Sequence, residues 1–412
     1  FRDRFAVPIP DDELKNVPYY RPPEDSPEMV YMHKRREELG GYLPARQADF
    51  DALDVPSLEK FSAQLKNTGK REVSSTMAFV RMLSTLVKDK AVGERIVPIV
   101  PDEARTFGME GMFRQLGIYS SQGQRYTPHD ADQIMYYKES KDGQILEEGI
   151  TEAGAFSAWL AAATSYANHR YPMVPFYIFY SMFGFQRIMD LAWAAGDSQA
   201  RGFLIGATSG RTTLNGEGLQ HQDGHSHLMA NMIPNCVSYD PTYSYELAVI
   251  IQDGMRRMYA EKENVFYYIT TMNENYYHPD MPEGSEEGII KGIYKLKGST
   301  VKKPKLKVQL LGSGTILREV EAAAELLKSD HKVEADIWSA TSINQLYRDG
   351  MECDRWNLLH PEESPRSAYV SQQLNAQSTP VICATDYIKA YGEQLRPYID
   401  GRYVVLGTDG YG

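Results

Sequence analysis

The chain has 412 residues, 42% hydrophobic and 24% charged, a composition typical of folded globular proteins and unlike disordered or fibrous chains. Because 44 Lys and Arg face 55 Asp and Glu, the net charge is −11, which argues against broad binding to nucleic acid or anionic membranes. The longest apolar runs, 153–167 and 171–186, are shorter than the roughly 20 residues of a membrane helix. At about 150 residues per domain, this length predicts two or three domains.

The cysteines are few and unpaired in sequence. Cys236, Cys353 and Cys383 occur without any CxxC spacing, which suits a reducing cytosol and excludes a disulfide framework or a thiolate zinc site. Neither an initiator Met nor a signal peptide begins the chain, and it stops shortly after a strand-like segment. We therefore expect a cytoplasmic protein and a piece of a longer polypeptide.

The first half of the chain changes character near residue 70. Residues 1–70 are rich in proline and charge and predict an extended connecting segment with only short helical stretches. Ser74 or Ser75 then caps a predicted helix, and strands alternate with helices over 71–275. The predicted strands are 96–100, 145–150, 174–180, 202–206 and 265–271, and the predicted helices are 151–168, 184–195 and 243–259. Short apolar strands separated by helices indicate a parallel sheet with helices on both faces.

The second half predicts another unit of the same class. Residues 276–304 break the alternation and are interpreted as a linker, and residues 305–412 resume it. Strands are predicted at 307–311, 332–338, 380–384 and 403–407, with helices at 315–328 and 342–349. The fold class is therefore α/β. The Gly-Ser-Gly turn that follows the strand at 307–311 lacks the third glycine of a dinucleotide fingerprint, which favours a tight turn.

Functional side chains follow several predicted strands, where open parallel sheets bind their ligands. Asp102 and Glu103 follow the first strand, and Glu152 begins the helix after the second. An acid there is ordinarily a solvated helix N-terminal residue, but the small residues after Glu152 leave room for a flat ligand. Neighbouring carboxyl groups retain protons more readily, so Glu152 could exchange one with a ring nitrogen. Tyr180 and Phe183, at the end of a largely core-forming aromatic run, are placed to stack on such a ligand.

A histidine-rich loop leaves two interpretations open. His221, Asp223, His225 and His227 occupy alternate positions, so on a strand they would share one face and could bind a metal ion. Glycines before and within the segment favour a loop instead, in which a histidine contacts a ligand or takes part in catalysis. The spacing does not decide between these hypotheses.

These strand ends resemble a known family. The segment 149–154, which reads GITEAG, the His221 loop and the strand end at Asp102 and Glu103 resemble the pyrimidine-binding domain of transketolase-like thiamine diphosphate enzymes. Residues 307–340 resemble their C-terminal domain. Within this group, the likeness is to the homodimeric bacterial pyruvate dehydrogenases. It implies a pyrimidine-binding domain at 71–275 and a truncated transketolase-like C-terminal domain at 305–412.

The resemblance also implies an activity and its partners. Members decarboxylate pyruvate and reductively acetylate lipoyl groups of dihydrolipoyl acetyltransferase, as homodimers with the cofactor at the subunit interface. They use thiamine diphosphate and Mg²⁺, and the Gly-Asp-Gly motif that binds the metal and the diphosphate is absent from this sequence. We therefore expect both groups to bind an N-terminal domain outside this chain, and the chain alone to be inactive.

The same resemblance assigns site residues. Glu152 would bind the pyrimidine ring nitrogen with support from Glu103, and His221 would lie near the substrate. The implied catalytic residues are Glu152, His221, Glu103 and Asp102. The implied cofactor contacts are Glu152, Ile150, Tyr180, Phe183 and Arg187. Two other classes of function stay open: a metal-dependent hydrolase that uses the histidine-rich loop, and a non-catalytic dimerisation fragment.

Overall fold

The computed structural model describes residues 1–42, 47–101, 104–129, 137–214 and 217–411, and the chain divides into two compact units, Phe1–Asp49 and Phe50–Gly412. The first unit contains the short 3-10 helix Leu14–Asn16 and one α-helix, α1 (Pro27–Glu38). Ser26 caps α1 by accepting a hydrogen bond from the backbone N–H of Met29 at 3.4 Å. A 12-residue helix thus lies within the segment predicted to hold only short helical stretches.

The second unit contains all of the described strands. They are β1 (Ile96–Val100), β2 (Ile118–Tyr119), β3 (Glu139–Ser140), β4 (Leu146–Glu147), β5 (Val174–Phe179), β6 (Phe203–Ala207), β7 (Cys236–Tyr239), β8 (Phe266–Thr271), β9 (Tyr294–Lys297), β10 (Lys307–Gly312), β11 (Glu334–Ser339), β12 (Val381–Ala384) and β13 (Tyr403–Leu406).

Its helices alternate with these strands. They are α2 (Ser62–Leu65), α3 (Ser75–Leu86), α4 (Glu110–Leu116), α5 (Glu152–Ala163), α6 (Ser165–His169), α7 (Phe185–Asp197), α8 (Ser226–Asn231), α9 (Ser244–Met255), α10 (Glu286–Lys291), α11 (Ile316–His331), α12 (Ile343–Leu359), α13 (Tyr369–Leu374) and α14 (Lys389–Glu393). No described helix is both long enough and apolar enough to cross a membrane.

The predicted parallel sheet is confirmed. Six strands pair in the order β4-β1-β5-β6-β8-β7, and every pair is parallel. The aromatic run of β5 divides between its two faces: Phe176 and Ile178 pack in one core with α3 and α9, and Tyr177 and Phe179 pack in the other with α5 and α7. Burial on both faces explains why the central strands read as continuous apolar segments.

The second sheet has five strands in the order β13-β12-β10-β11-β9. Four of them are parallel, as predicted, but β9 pairs antiparallel with β11 at the edge and lies within the predicted linker, as does α10. The segment was missed because β9 has only four residues and alternates lysines with apolar residues, which is typical of a protected edge strand. Strand β7, also of four residues, was not predicted either.

Several predicted boundaries also differ. The strand predicted at 145–150 shortens to β4, because Gly149 adopts φ +77° and turns the chain toward α5. The helix predicted at 151–168 divides into α5 and α6 at Thr164. The helix predicted at 243–259 is α-helical only to Met255 and continues as a π-helical turn, Arg256–Ala260.

The carboxyl ends of the two sheets face each other. Asp240, just after β7, donates its backbone N–H to the carbonyl of Thr341 beyond β11 at 2.8 Å. Its own carbonyl accepts the N–H of Gly314 beyond β10 at 3.0 Å. Gly314 has φ +49°, and a Cβ there would lie 2.5 Å from Asp240 Oδ2, so the approach requires glycine. The Gly-Ser-Gly turn is thus a tight turn that allows the two sheets to meet.

A buried carboxylate strengthens this junction. Glu246, in the first turn of α9, accepts the backbone N–H groups of Thr242 and Tyr243 at 2.6 and 2.9 Å. It also accepts the hydroxyls of Tyr294 on β9 and Ser339 on β11, at 2.7 and 2.5 Å. Burial raises the pKa of Glu246, while these four donors favour its ionised form. The side chain therefore joins α9 of the first sheet to the edge of the second.

We predict that Asp336 makes the stability of the second sheet sensitive to acid. Burial alone would raise the pKa of Asp336, but the Ser299 N–H, Lys307, Gln377 and Lys295 together hold it well below the ordinary 3.8. A lowered folded-state pKa stabilises the protein above that ordinary value, and the contribution is lost as the pH falls below about 4. Asp336→Asn should therefore lower the free energy of unfolding by about 1–3 kcal/mol at pH 7.

Thermal unfolding of the chain between pH 7 and pH 3 measures this difference in the free energy of unfolding. The difference between wild type and Asp336→Asn should begin to narrow as the pH falls below about 4, because the stabilisation is lost between the unfolded-state pKa and the still lower folded-state pKa. The exposed Glu325 provides a control through Glu325→Gln, which should change little. A difference that stays constant down to pH 3 would contradict the assignment.

Candidate active site

Glu152 lies at the start of α5, beyond the carboxyl end of β4. Thr151 caps this helix, with its Oγ1 accepting the backbone N–H of Gly154 at 3.2 Å. The Glu152 carboxylate accepts a hydrogen bond from Arg187 Nη1 at 2.6 Å, and its side chain is 16% exposed. The carboxylate is therefore held at the edge of the sheet, within reach of solvent.

Aromatic rings extend the site from Arg187. The Arg187 guanidinium carbon lies 4.3 Å from the ring centroid of Phe183, which meets the ring of Tyr180 edge-on at 5.9 Å. The ring of His221 packs against both, at 5.0 Å from Tyr180 and 5.2 Å from Phe183. We refer to Tyr180 and Phe183 as the aromatic pair. The structure thus brings together five predicted residues: Glu152, Arg187, His221 and the aromatic pair.

The hydrogen bonding of His221 fixes its neutral tautomer. Its Nδ1 lies 3.1 Å from the backbone carbonyl oxygen of Glu217. Because a carbonyl oxygen can only accept, Nδ1 of the neutral ring carries the proton and Nε2 retains a lone pair. His221 can therefore accept a proton, or a hydrogen bond from a substrate, at Nε2.

The remaining predicted residues are placed less centrally. Ile150 precedes the cap of α5 and is 72% exposed, so its side chain is available to a ligand but has little protein around it. Asp102 and Glu103 lie outside the described residues, so their predicted place beside Glu152 stays a prediction.

The structure does not support a metal site in the histidine-rich loop. The Asp223 carboxylate accepts the N–H groups of His225 and Ser226 and the Ser226 hydroxyl at the start of α8. His227 lies fully buried, with Nε2 3.0 Å from Thr270 Oγ1, and burial lowers its pKa to about 4. Across the described part of the chain, no three His, Cys, Asp or Glu side chains form a group that could hold a metal ion.

Two residues near the site were not predicted. Tyr177 is fully buried on β5, and its hydroxyl has no hydrogen-bond partner among the described residues. Burial raises the pKa of Tyr177, and the charge of Glu152 raises it further. The Tyr177 ring lies 6.5 Å from the ring of Phe156 on α5, the helix that Glu152 begins. Phe107 packs on Tyr180, with ring centroids 5.5 Å apart. Tyr177 could have been identified from the sequence as a residue with a polar hydroxyl inside an otherwise apolar strand.

Comparison with protein families gives two matches that together cover most of the chain. Residues 53–279 match the model of the pyruvate dehydrogenase E1 component middle domain. Residues 292–412 match the transketolase-like TK C-terminal domain.

Solved structures share the fold at low identity. A transketolase from Campylobacter jejuni has a TM-score of 0.60 at 15% identity, over 94% of this chain and 47% of its own. A split-gene transketolase, described as an inactive beta4 tetramer, has a TM-score of 0.54 at 13% identity, over 82% of this chain and 90% of its own. These similarities support the transketolase-like fold.

Curated relatives named pyruvate dehydrogenase E1 component are far more similar in sequence. Those of Pseudomonas aeruginosa, Cupriavidus necator and Escherichia coli K12 are 62%, 60% and 60% identical over 100% of this chain. The chain spans 46–47% of their lengths, about half of each relative. With the middle-domain match over 53–279, these identities establish the family. The chain belongs to the pyruvate dehydrogenase E1 component family.

Proposed function

We propose that this chain forms the pyrimidine-binding part of a thiamine diphosphate-dependent pyruvate dehydrogenase. The enzyme would decarboxylate pyruvate oxidatively and transfer the acetyl group to lipoyl groups of dihydrolipoyl acetyltransferase. The observation that carries the proposal is the Glu152 carboxylate at a strand end, linked through Arg187 to the aromatic pair. Family membership and the high identity to curated E1 components support it.

The residues present fit an aminopyrimidine ring. A flat heteroaromatic group needs an apolar surface for its face and polar groups for its ring nitrogen and amine. Phe183 and the exposed Ile150 offer apolar surface, and Glu152 offers a hydrogen-bonding carboxyl. The buried Tyr177 hydroxyl, which has no partner among the described residues, leaves a polar atom available nearby. When bound, thiamine diphosphate would supply the carbon nucleophile that attacks the 2-oxo group of pyruvate.

In the proposed enzyme, Glu152 exchanges a proton with the pyrimidine ring nitrogen of the cofactor. Its hydrogen bond to Arg187 joins Nη1 to Oε1, so the ring nitrogen can approach Oε2, or Oε1 once the guanidinium moves away. The Arg187 side chain is 50% exposed and rests on Phe183, so it can move toward solvent without opening the core. We propose that Glu103, beside Asp102, supports Glu152 in retaining a proton.

His221 acts on the substrate side of the ring. Its Nε2 can accept a proton and, once protonated, donate a hydrogen bond to a carboxylate, while the Glu217 carbonyl orients Nδ1–H. The aromatic pair fixes the plane of the imidazole and shields one side from water. These contacts orient His221 for proton transfer.

The wider assembly follows from the family. We propose that Mg²⁺ and the cofactor diphosphate bind residues outside these 412, that the active site forms between subunits of a homodimer, and that lipoyl domains deliver the acetyl acceptor. We also propose a pyrimidine-binding domain at 71–275 and a C-terminal domain at 305–412. Support comes from the family matches over 53–279 and 292–412 and from strands that divide into two sheets.

The direct test is reconstitution. The chain is fused or combined with the half of the Escherichia coli relative that it does not span, given thiamine diphosphate and Mg²⁺, and assayed for decarboxylation of pyruvate. We refer to this preparation as the assembled enzyme. Pyruvate turnover that depends on both additions supports the proposal, and a folded assembly without turnover contradicts it.

We predict that Glu152→Gln slows proton exchange at the thiazolium carbon of the cofactor by orders of magnitude. Gln keeps the shape and a hydrogen bond but cannot exchange a proton with the ring nitrogen, so the cofactor should still bind. Glu152→Ala should weaken cofactor binding as well. Proton–deuteron exchange followed by NMR in the assembled enzyme measures the rate, with the exposed Glu148→Gln as the control. A wild-type rate in Glu152→Gln would remove Glu152 from the mechanism.

We predict that His221→Ala lowers turnover of the assembled enzyme by roughly 10²–10⁴-fold, the range usual for loss of a general acid or base. Cofactor affinity should change far less, because Glu152, Arg187 and the aromatic pair keep their own contacts with one another. His225→Ala is the matched control in the same loop and should retain turnover. If His221→Ala abolished cofactor binding and left saturated turnover normal, the assigned role would be wrong.

A further inference from the structure

The loop that carries His221 is closed at its base. It connects the end of β6 at Ala207 to the start of α8 at Ser226. The backbone N–H of Asp223 donates to the carbonyl of Gly210 at 2.9 Å, which ties the end of the loop to its beginning. Loops of this length are uncommon in compact domains unless they serve a function, and their conformation needs external support.

That support comes from Asp386, just after β12 of the other sheet. The residue is 3% exposed. Oδ2 accepts the backbone N–H groups of Arg211 and Thr212 at 2.6 and 3.0 Å, and Oδ1 accepts the Thr212 hydroxyl at 2.5 Å. A buried carboxylate is stable only when its oxygens are hydrogen-bonded, so Asp386 fixes the direction in which the loop leaves β6.

The Arg211 side chain makes a second connection. Its guanidinium is buried, with the residue 4% exposed, and donates to the carbonyls of Thr408 and Gly410 at 2.8 and 2.7 Å. At the other end of the loop, the carbonyl of Gly224 accepts the backbone N–H of Ile388 at 3.1 Å. Both ends of the loop are therefore bonded to the segment that follows β12 and β13.

Two glycines make room for these side chains. Gly210 adopts φ +75°, and a Cβ there would collide with the Asp386 carboxylate. A Cβ at Gly224 would collide with the Arg211 guanidinium. The loop thus has glycine at the two points where its backbone passes the Asp386 carboxylate and the Arg211 guanidinium. An ordinary surface loop does not require glycine at such fixed positions.

We propose that Asp386 is a positioning residue: by binding Arg211 and Thr212 it holds the loop where His221 meets the aromatic pair. Asp386 does not touch the reacting groups and acts only through the loop. The second sheet thereby takes part in building the active site of the first. The consequence for turnover rests on the proposed function, whereas the placement of His221 does not.

The test uses the 412-residue chain with isotope-labelled histidine. The His221 ring lies 5.0 and 5.2 Å from the centroids of the aromatic pair, so their ring currents displace its NMR signals. Absence of the signals in His221→Gln assigns them. Asp386→Asn should move them toward the values of an exposed histidine. Asp336→Asn is the matched control, since it removes another buried, hydrogen-bonded carboxylate of the same sheet and should leave the His221 signals in place.

Arg211→Gln provides a second variant in case Asp386→Asn does not fold. It loses the bonds to Thr408 and Gly410 but keeps the backbone bond to Asp386, so it should shift the His221 signals less and in the same direction. Wild-type His221 signals in the folded variants would overturn the proposal.

In the assembled enzyme, Asp386→Asn should lower kcat roughly 10- to 100-fold and leave the KM for thiamine diphosphate little changed. Shifted His221 signals with normal turnover would support the positioning by Asp386 and contradict the catalytic role of His221. The two proposals therefore fail separately.

Discussion

The meeting of the carboxyl ends of the parallel strands of two sheets is the constraint on which the rest of the structure depends. Parallel strands place the segments that follow them at one edge, and here the two edges face each other across Asp240, Gly314 and Thr341. Backbone groups that leave a strand end need partners, and each sheet supplies them to the other. The buried Glu246 extends the same junction with four donors. The backbone groups of Asp240 and Gly314 and the Glu246 carboxylate are therefore buried there with hydrogen-bond partners.

This constraint explains why the site is built from loops and helix starts. Glu152, Arg187 and the aromatic pair all follow strands or begin helices of the first sheet, so the sheet fixes their spacing. His221 is different, since it belongs to a loop whose two ends are bonded to the second sheet. The first sheet supplies the groups that would face the ligand. The second sheet supplies the hydrogen bonds that hold the loop of His221. Both sheets therefore contribute contacts to the candidate site.

Much of the fold could be predicted from the sequence, because the spacing of apolar residues and the composition of a segment indicate which residues are buried. The apolar central strands and the helices between them predicted the parallel sheets, and Thr-Glu after a strand predicted the start of α5. The resemblance added the candidate site residues, which stay predictions. Strand β9 was missed because four residues with alternating lysines resemble a charged linker. The loop interpretation of the histidines was open until the structure showed the Asp223 carboxylate bonded to the backbone N–H groups of His225 and Ser226.

Pairings distant in sequence could not be predicted. Arg187 bonds Glu152 across 35 positions, and Arg211 bonds Asp386 across 175, with no periodic pattern to connect either pair. The bonds from the loop to Asp386 use backbone N–H groups, which every residue except proline has, so the residue types there do not predict them. The neighbouring glycines were the one feature of the sequence that indicated a close approach.

The central claim is that Glu152 recognises the pyrimidine ring of thiamine diphosphate. A structure of the assembled enzyme with the cofactor bound tests it most directly. We expect a carboxyl oxygen of Glu152 at about 3 Å from the pyrimidine ring nitrogen, with Arg187 released from that oxygen. A ring nitrogen bonded by another residue, with Glu152 still paired to Arg187, would contradict the account.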